Sequence, residues 1–282
     1  MKLVMFSKAL KDLHIKQMIA KAHELGVEGY DLAVRPGYVV NPDNVGAELS
    51  KAVAEFKKED LSIPLITGRG DLLNPDDPDV LPLLSAMEKA DVRLLKLGYY
   101  TMQMDGRFNY WREVDKLRRI FEKWAELGKE YGVRVLYHTH SSSSADDEYL
   151  GSNASNLMHL IKGLDPAGFG AYLDAGHLSV EGERFPYAVA IVGEYLQAVA
   201  LKDVVKEWDQ VNDCPKKRWV KGGEGHVDWS TVFKTLVKIG YNGTVSIHCE
   251  YEHKDMDGFF AQLPNEVAFF QRKREIAESA KA

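Results

Sequence analysis

The sequence predicts an α/β fold of the (β/α)8 TIM-barrel class, and three observations predict it. Eight short apolar runs alternate with eight segments of helical spacing, the pattern of parallel strands joined by right-handed crossovers. The length of 282 residues suits one barrel, a fold of about 250 residues. FSKALKD, the turn after the first run, has no glycine, whereas an open doubly wound sheet needs a glycine-rich phosphate turn there. No shift of composition marks a linker, so residues 1–282 read as a single domain.

The first strand is Lys2 to Phe6 (KLVMF). Leu13, Ile15, Met18, Ile19, Ala22 and Leu25 then recur at helical spacing, and Gly26 stands where a helix-ending glycine belongs. Val27 to Val34 is the second strand, and the loop RPGYVVNPDNV leads to a helix from Asn44 to Lys58. A third strand from Ile63 to Thr67, a helix from Val80 to Ala90 and a fourth strand from Arg93 to Gly98 follow. The amphipathic stretch Tyr110 to Glu130 makes a long helix, ended by Tyr131 and Gly132. Val133 to His140 (VRVLYHTH) is the fifth strand. A helix near Asn156 to Lys162 precedes strand six, Gly168 to Asp174, and a helix from Phe185 to Glu194 precedes strand seven, Leu196 to Lys202. Residues Asp203 to Val227 read as a loop, long enough to act as a lid or to meet a second subunit in a homo-oligomer. Trp229 to Ile239 is helical with Gly240 as its stop, Thr244 to Cys249 is the eighth strand, and a helix from Gly258 to Ser279 closes the series.

Composition limits the function classes. Apolar residues make up 45% and charged residues 28%, the mixture of a globular chain rather than a disordered or membrane one. No run approaches the roughly 20 apolar residues that span a bilayer. The opening MKLVMFSKALKDL has no small-residue cleavage site, so a cytoplasmic location and no membrane partner are expected. The formal charge of −6 comes from mixed acidic and basic residues, which gives no footprint for nucleic acid. Cys214 and Cys249 have neither redox nor metal-finger spacing.

In a barrel of this kind chemistry sits where the strands end. Within VRVLYHTH, alternation puts Leu136, His138 and His140 on one face and Val133, Val135, Tyr137 and Thr139 on the other, so both imidazoles look into the same space. Strand six contributes Tyr172 and Asp174, with His177 three residues on. Strand seven gives Ala200 and Lys202, strand eight Ser246, His248 and Glu250, and strand four Lys96 and then Tyr99. Such a density of histidines and charges exceeds what barrel packing needs, because buried unpaired charge is costly. Arg35, Arg69, Tyr99, Trp208 and Trp219 lie on loops of the same end, where aromatic planes and charged donors suit a polyhydroxylated ligand.

At these residues the chain resembles the xylose-isomerase-like TIM-barrel superfamily of sugar isomerases and epimerases, which also contains inosose dehydratases and zinc apurinic-site endonucleases. The resemblance covers essentially the whole chain and rests on GVEGYDLAVRPG, VLYHTHS, YLDAGHL, ALKD, GGEGHVDW and GTVSIHCEYE. It implies one divalent cation, held in the family by Glu, Asp, His and Glu from strands five to eight. Carried over in turn, those positions are His138, Asp174, Ala200 and His248, so only the aspartate is kept. The family's neighbouring histidines on strands five and six match His140 and His177, and its strand-seven lysine matches Lys202.

Moving a proton at a carbon next to a carbonyl needs a base, an acid and an electrophile for the enediolate charge. Histidine as a residue type titrates near neutrality, so His138 and His248 facing one another are expected to do the work of glutamates. For a metal, Asp174 and Glu250 offer oxygens while His138 and His248 offer nitrogens, a set suited to Mn, Zn, Co or Fe. A Lys202 ammonium close to that ion would be repelled or pushed onto Asp174. The expected metal ligands are therefore His138, Asp174, His248 and Glu250, the catalytic residues His140, His177 and Lys202, and the substrate contacts Arg35, Tyr99 and Trp219. The expected function is an isomerase or epimerase of a sugar, sugar phosphate, keto-sugar or inositol-like compound. The alternatives are a lyase or dehydratase acting on an oxidised sugar or glycoside, and a sugar-binding barrel without turnover. An endonuclease is disfavoured by the acidic charge and the lack of basic stripes.

Overall fold

A computed structural model of the chain describes residues 1–103, 105, 107–142 and 147–280. Eight parallel strands close into a barrel in chain order: β1 (Lys2–Phe6), β2 (Gly29–Ala33), β3 (Ser62–Thr67), β4 (Leu94–Lys96), β5 (Arg134–His138), β6 (Phe169–Asp174), β7 (Leu196–Leu201) and β8 (Thr244–Ile247). Strand β8 returns to β1, with Val4 opposite Ser246. Around them lie α1 (Ile15–Leu25), α2 (Val45–Lys58), α3 (Val80–Ala90), α4 (Tyr110–Glu130), α5 (Ala154–Ile161), α6 (Ala175–Val180), α7 (Phe185–Val192), α8 (Trp229–Lys238) and α9 (Met256–Ser279). No helix among the described residues is long and apolar enough to cross a membrane.

Alternation along the strands divides the apolar side chains into two cores. Leu3, Met5, Tyr30, Leu32, Val135, Tyr137, Val199 and Ile247 point outward and belong to one continuous cluster with the helices. Each such side chain contributes about 1.5–3 kcal/mol by leaving water. The inward residues Leu65, Leu136, Tyr172, Ala198 and Ala200 form a smaller plug. Two alanines in that plug leave room for a tyrosine ring, and the polar ends of the strands lie beyond it.

The segment expected as one loop from Asp203 to Val227 is largely an antiparallel hairpin, Asp203–Asp209 paired with Cys214–Val220. Its alternation of valine, tryptophan and charged residues is strand chemistry for a ribbon with one wet face. Asp209 Oδ1 turns the chain by accepting the N–H groups of Val211 and Asn212 at 2.9 and 3.2 Å. The rest of the segment wraps around Asp203, which takes the N–H groups of Gly223, Gly225 and Val227 and the indole N–H of Trp229. The motifs LKD and GEGHVDW are thus one structural unit. A second ribbon pairs Thr101–Gln103 with Asp147–Tyr149, joining the segments that follow β4 and β5.

Candidate active site

The DAGH turn at the end of β6 lays the bed of the site. Asp174 Oδ1 accepts the His177 N–H at 2.9 Å and caps α6, and Asp174 N donates to Thr139 Oγ1 at 2.9 Å. Gly176 is required for β7 to come close, since a Cβ there would stand 2.4 Å from Lys202 O. The second carboxylate oxygen, Oδ2, is buried without a hydrogen-bond partner among the described residues, as are His138 Nε2 and His177 Nε2. His138 Nε2 lies 3.4 Å from Oδ2, Lys202 Nζ 3.7 Å and His177 Nε2 3.9 Å. Buried polar atoms left in this way call for a ligand. One donor atom each from His138, Asp174 and His248 falls within 4.8 Å of the others, so these residues fit a divalent ion with mixed nitrogen and oxygen ligation.

Asp31, which no spacing in the sequence singles out, orients one of those imidazoles. Wholly buried in β2, it accepts the hydroxyls of Thr67 at 2.6 Å, Tyr172 at 3.0 Å and Ser246 at 3.2 Å. Tyr172 reaches it across the barrel. His248 Nε2 lies 2.9 Å from the same tyrosine oxygen. Because Tyr172 gives its single proton to Asp31, His248 Nε2 carries a proton and donates it, so Nδ1 is the nitrogen this ring can offer a metal. His138 and His248 are nearly parallel, 11° apart, with ring centroids separated by 6.0 Å. Burial pushes His138 down to about 4 against the pull of Asp174, so this ring is neutral at pH 7 and ready to ligate.

Lys202 and Glu250 form the next layer. Glu250, expected among the ligands, turns inward but pairs with Lys8 and with Lys202, whose Nζ is 2.7 Å from Oε2. It is the counter-ion of Lys202 and stands outside the three residues that converge. Burial alone would lower Lys202; Glu250 and Asp174 outweigh it and hold the ammonium above its usual range. Asp174 is held below the carboxylate range, because Lys202 and His138 outweigh its burial.

His140 and His177 take opposite tautomers around Ser141. The Ser141 N–H donates to His177 Nδ1 at 3.0 Å, which places the His177 proton on Nε2. The Ser141 carbonyl accepts from His140 Nδ1 at 2.8 Å, which leaves His140 Nε2 bare. The two rings lie 3.8 Å apart, and burial together with Lys202 lowers both below the usual imidazole range.

Tyr99 lies beside this pair, its ring 4.4 Å from His140 and its hydroxyl 3.3 Å from His138 Nδ1. Trp219 is half-buried, 4.7 Å from the His177 ring, with Lys202 Nζ 4.3 Å above its own. Arg35 lies over Phe6, whose ring is 4.7 Å from His248. Two loop residues of the sequence reading point elsewhere. Arg69 binds Asp71, Asp77 and Asp79, and Trp208 is exposed on the hairpin beside Asp213.

A (β/α)8 barrel with a histidine-rich mouth is what fold and geometry define. Residues 19–281 match the family described as xylose isomerase-like TIM barrel, and the chain belongs to that family. It is similar to D-psicose 3-epimerase of Ruminiclostridium cellulolyticum, 23% identical over 188 residues, which cover 61% of this chain and 57% of that protein. It is also similar to inosose dehydratase of Bacillus licheniformis, 23% identical over 150 residues, covering 49% and 48%. The chain thus spans about half the length of these curated relatives. Among solved structures, 3-keto-D-glucoside 4-epimerase from E. coli superposes with a TM-score of 0.72 at 13% identity, covering 96% of this chain and 99% of that one, a likeness of fold.

Proposed function

We propose that the chain is an isomerase or epimerase of a sugar or keto-sugar, working by proton transfer beside a carbonyl with a divalent metal at the barrel mouth. The observation that carries this reading is the convergence of His138, Asp174 and His248 within 4.8 Å, two of them with buried donor atoms lacking partners among the described residues. These three would hold the ion, Mn, Zn, Co or Fe, and Glu250 lies beside them. When bound, such an ion supplies Lewis-acid stabilisation to the oxygen that gains charge.

The chain's own residues supply the rest. His140, with Nε2 bare, takes the proton from carbon, and the His177 Nε2–H donates to a substrate oxygen. Lys202, kept charged by Glu250 and Asp174, is a second donor. Arg35, Tyr99 and Trp219 position the sugar. A cytoplasmic location, and no nucleic-acid or membrane partner, accompany this reading. The epimerase relative supports it. The inosose dehydratase relative, and an ammonium placed to protonate a departing hydroxyl, favour a dehydratase as the second reading.

Two measurements test the proposal. Protein purified without chelator is expected to carry a bound ion that His138→Ala loses along with activity; no metal, and full activity in the variant, would remove the metal. Candidate ketoses incubated with enzyme in deuterated water are expected to gain deuterium at the epimerised carbon. Loss of water from the sugar in place of exchange would move the assignment to the dehydratase.

A further inference from the structure

Lys96 is the last residue of β4, 2% exposed, and shares its inward face with Leu94, which packs on the inner plug. Among the described residues no carboxylate lies within 4.0 Å of its ammonium, which instead lies over Tyr99, 4.1 Å from the ring centroid. The charged groups that bear on it are Arg35 and Lys202, of like sign, and Asp31 and Glu250, of opposite sign. Both carboxylates are already engaged. Glu250 pairs with Lys8 and Lys202, and Asp31 accepts three hydroxyls. Arg35, half-buried, also lacks a counter-ion: its Nε donates to Gly68 O at 3.0 Å, and no described carboxylate lies within 4.0 Å of the guanidinium. One cation stands on the His138 side of the imidazole pair, through Tyr99, and the other on the His248 side, through Phe6.

We infer that the substrate carries an acid group, a carboxylate or a phosphate, and that Arg35 and Lys96 receive it. The inference rests on the sugar-enzyme reading and names its substrate class. A buried ammonium without a counter-ion, as at Lys96, is costly, and a neutral sugar offers it and the half-buried guanidinium of Arg35 only dipoles. An anion satisfies both, and guanidinium matches the paired oxygens of either acid. Burial and Arg35 push Lys96 down to about 7, the state of an ammonium that lacks its anion.

Isothermal titration of the protein as purified with inorganic phosphate, D-glucuronate and D-glucose, repeated on Arg35→Gln and Lys96→Met, tests this. Phosphate or D-glucuronate is expected to bind at least tenfold more tightly than D-glucose, and each variant to weaken that anion at least tenfold. A phosphate response points to a sugar phosphate, a glucuronate response to a sugar acid. Lys96→Met removes a buried charge and is expected to melt no lower than wild type, which separates lost binding from unfolding. Neither anion binding, anion binding unchanged in both variants, or D-glucose binding as tightly as the anions would overturn the inference. The isomerase reading fails separately. Deuterium exchange into a neutral ketose with no anion binding removes the acid group alone, and anion binding with no exchange into any sugar removes the isomerase alone.

Discussion

Tyr172 is the side chain on which the imidazole geometry turns, because its one hydroxyl both feeds Asp31 and receives the His248 N–H. Tyr172→Phe keeps the ring in the inner plug and deletes only that link. Removing the partner that orients a metal-binding histidine typically costs about 10–100-fold in metal affinity. We expect that loss for Mn2+ or Zn2+, read by calorimetric titration, with a melting temperature within a few degrees of wild type. Unchanged affinity would mean that His248 is oriented by something else. The histidines and Asp174 were legible in the sequence because alternation is a property of extended backbone. Asp31 was not: its three hydroxyl donors lie 36, 141 and 215 residues away, and a lone carboxylate inside an apolar strand carries no spacing signal. The pairing of Glu250 with Lys8, 242 residues away, was hidden for the same reason.

At the level of elements, the eight strands and the helices between them could be read because burial imposes a period on each. The ribbons could not, since pairing between Thr101–Gln103 and Asp147–Tyr149 depends on two loops meeting only after the barrel has closed. Helix α9 carries a further consequence. Glu266, buried on its inner side, accepts the Gly222 N–H at 2.9 Å through Oε2, while Oε1 has no hydrogen-bond partner among the described residues. Burial pushes this carboxyl up to about 7. Between the unfolded value of about 4.3 and that point the folded chain holds a proton the unfolded chain has released, so stability falls as pH rises and the full penalty is present above pH 7. Glu266→Gln keeps an oxygen for Gly222 and cannot ionise. It is expected to stabilise the protein at pH 8 by on the order of 1–3 kcal/mol in urea unfolding and to change little at pH 4.5. Equal stability at pH 8 would place an ionised Glu266 in a better-solvated setting than its burial implies.

For the whole molecule the mouth of the barrel sets the acid limit. His138, at about 4, and His140 and His177, also lowered by burial, stay neutral in the folded chain, whereas free imidazoles titrate near 6.5. Below pH 6.5 the unfolded chain takes up protons that the folded chain refuses, so their contribution is complete above 6.5 and is lost progressively toward pH 4. Three protons set a limiting slope of about 4 kcal/mol per pH unit, and the opposite sign of Glu266 reduces it to about 3. Chelator-treated protein is therefore expected to lose urea resistance steeply between pH 6.5 and 5, and Glu266→Gln more steeply still. One of those neutral imidazoles, His138, is also a nitrogen that the metal ion needs. A urea midpoint that stays flat over that range would mean the folded imidazoles are already protonated, and His138 would then have no free nitrogen to offer the ion.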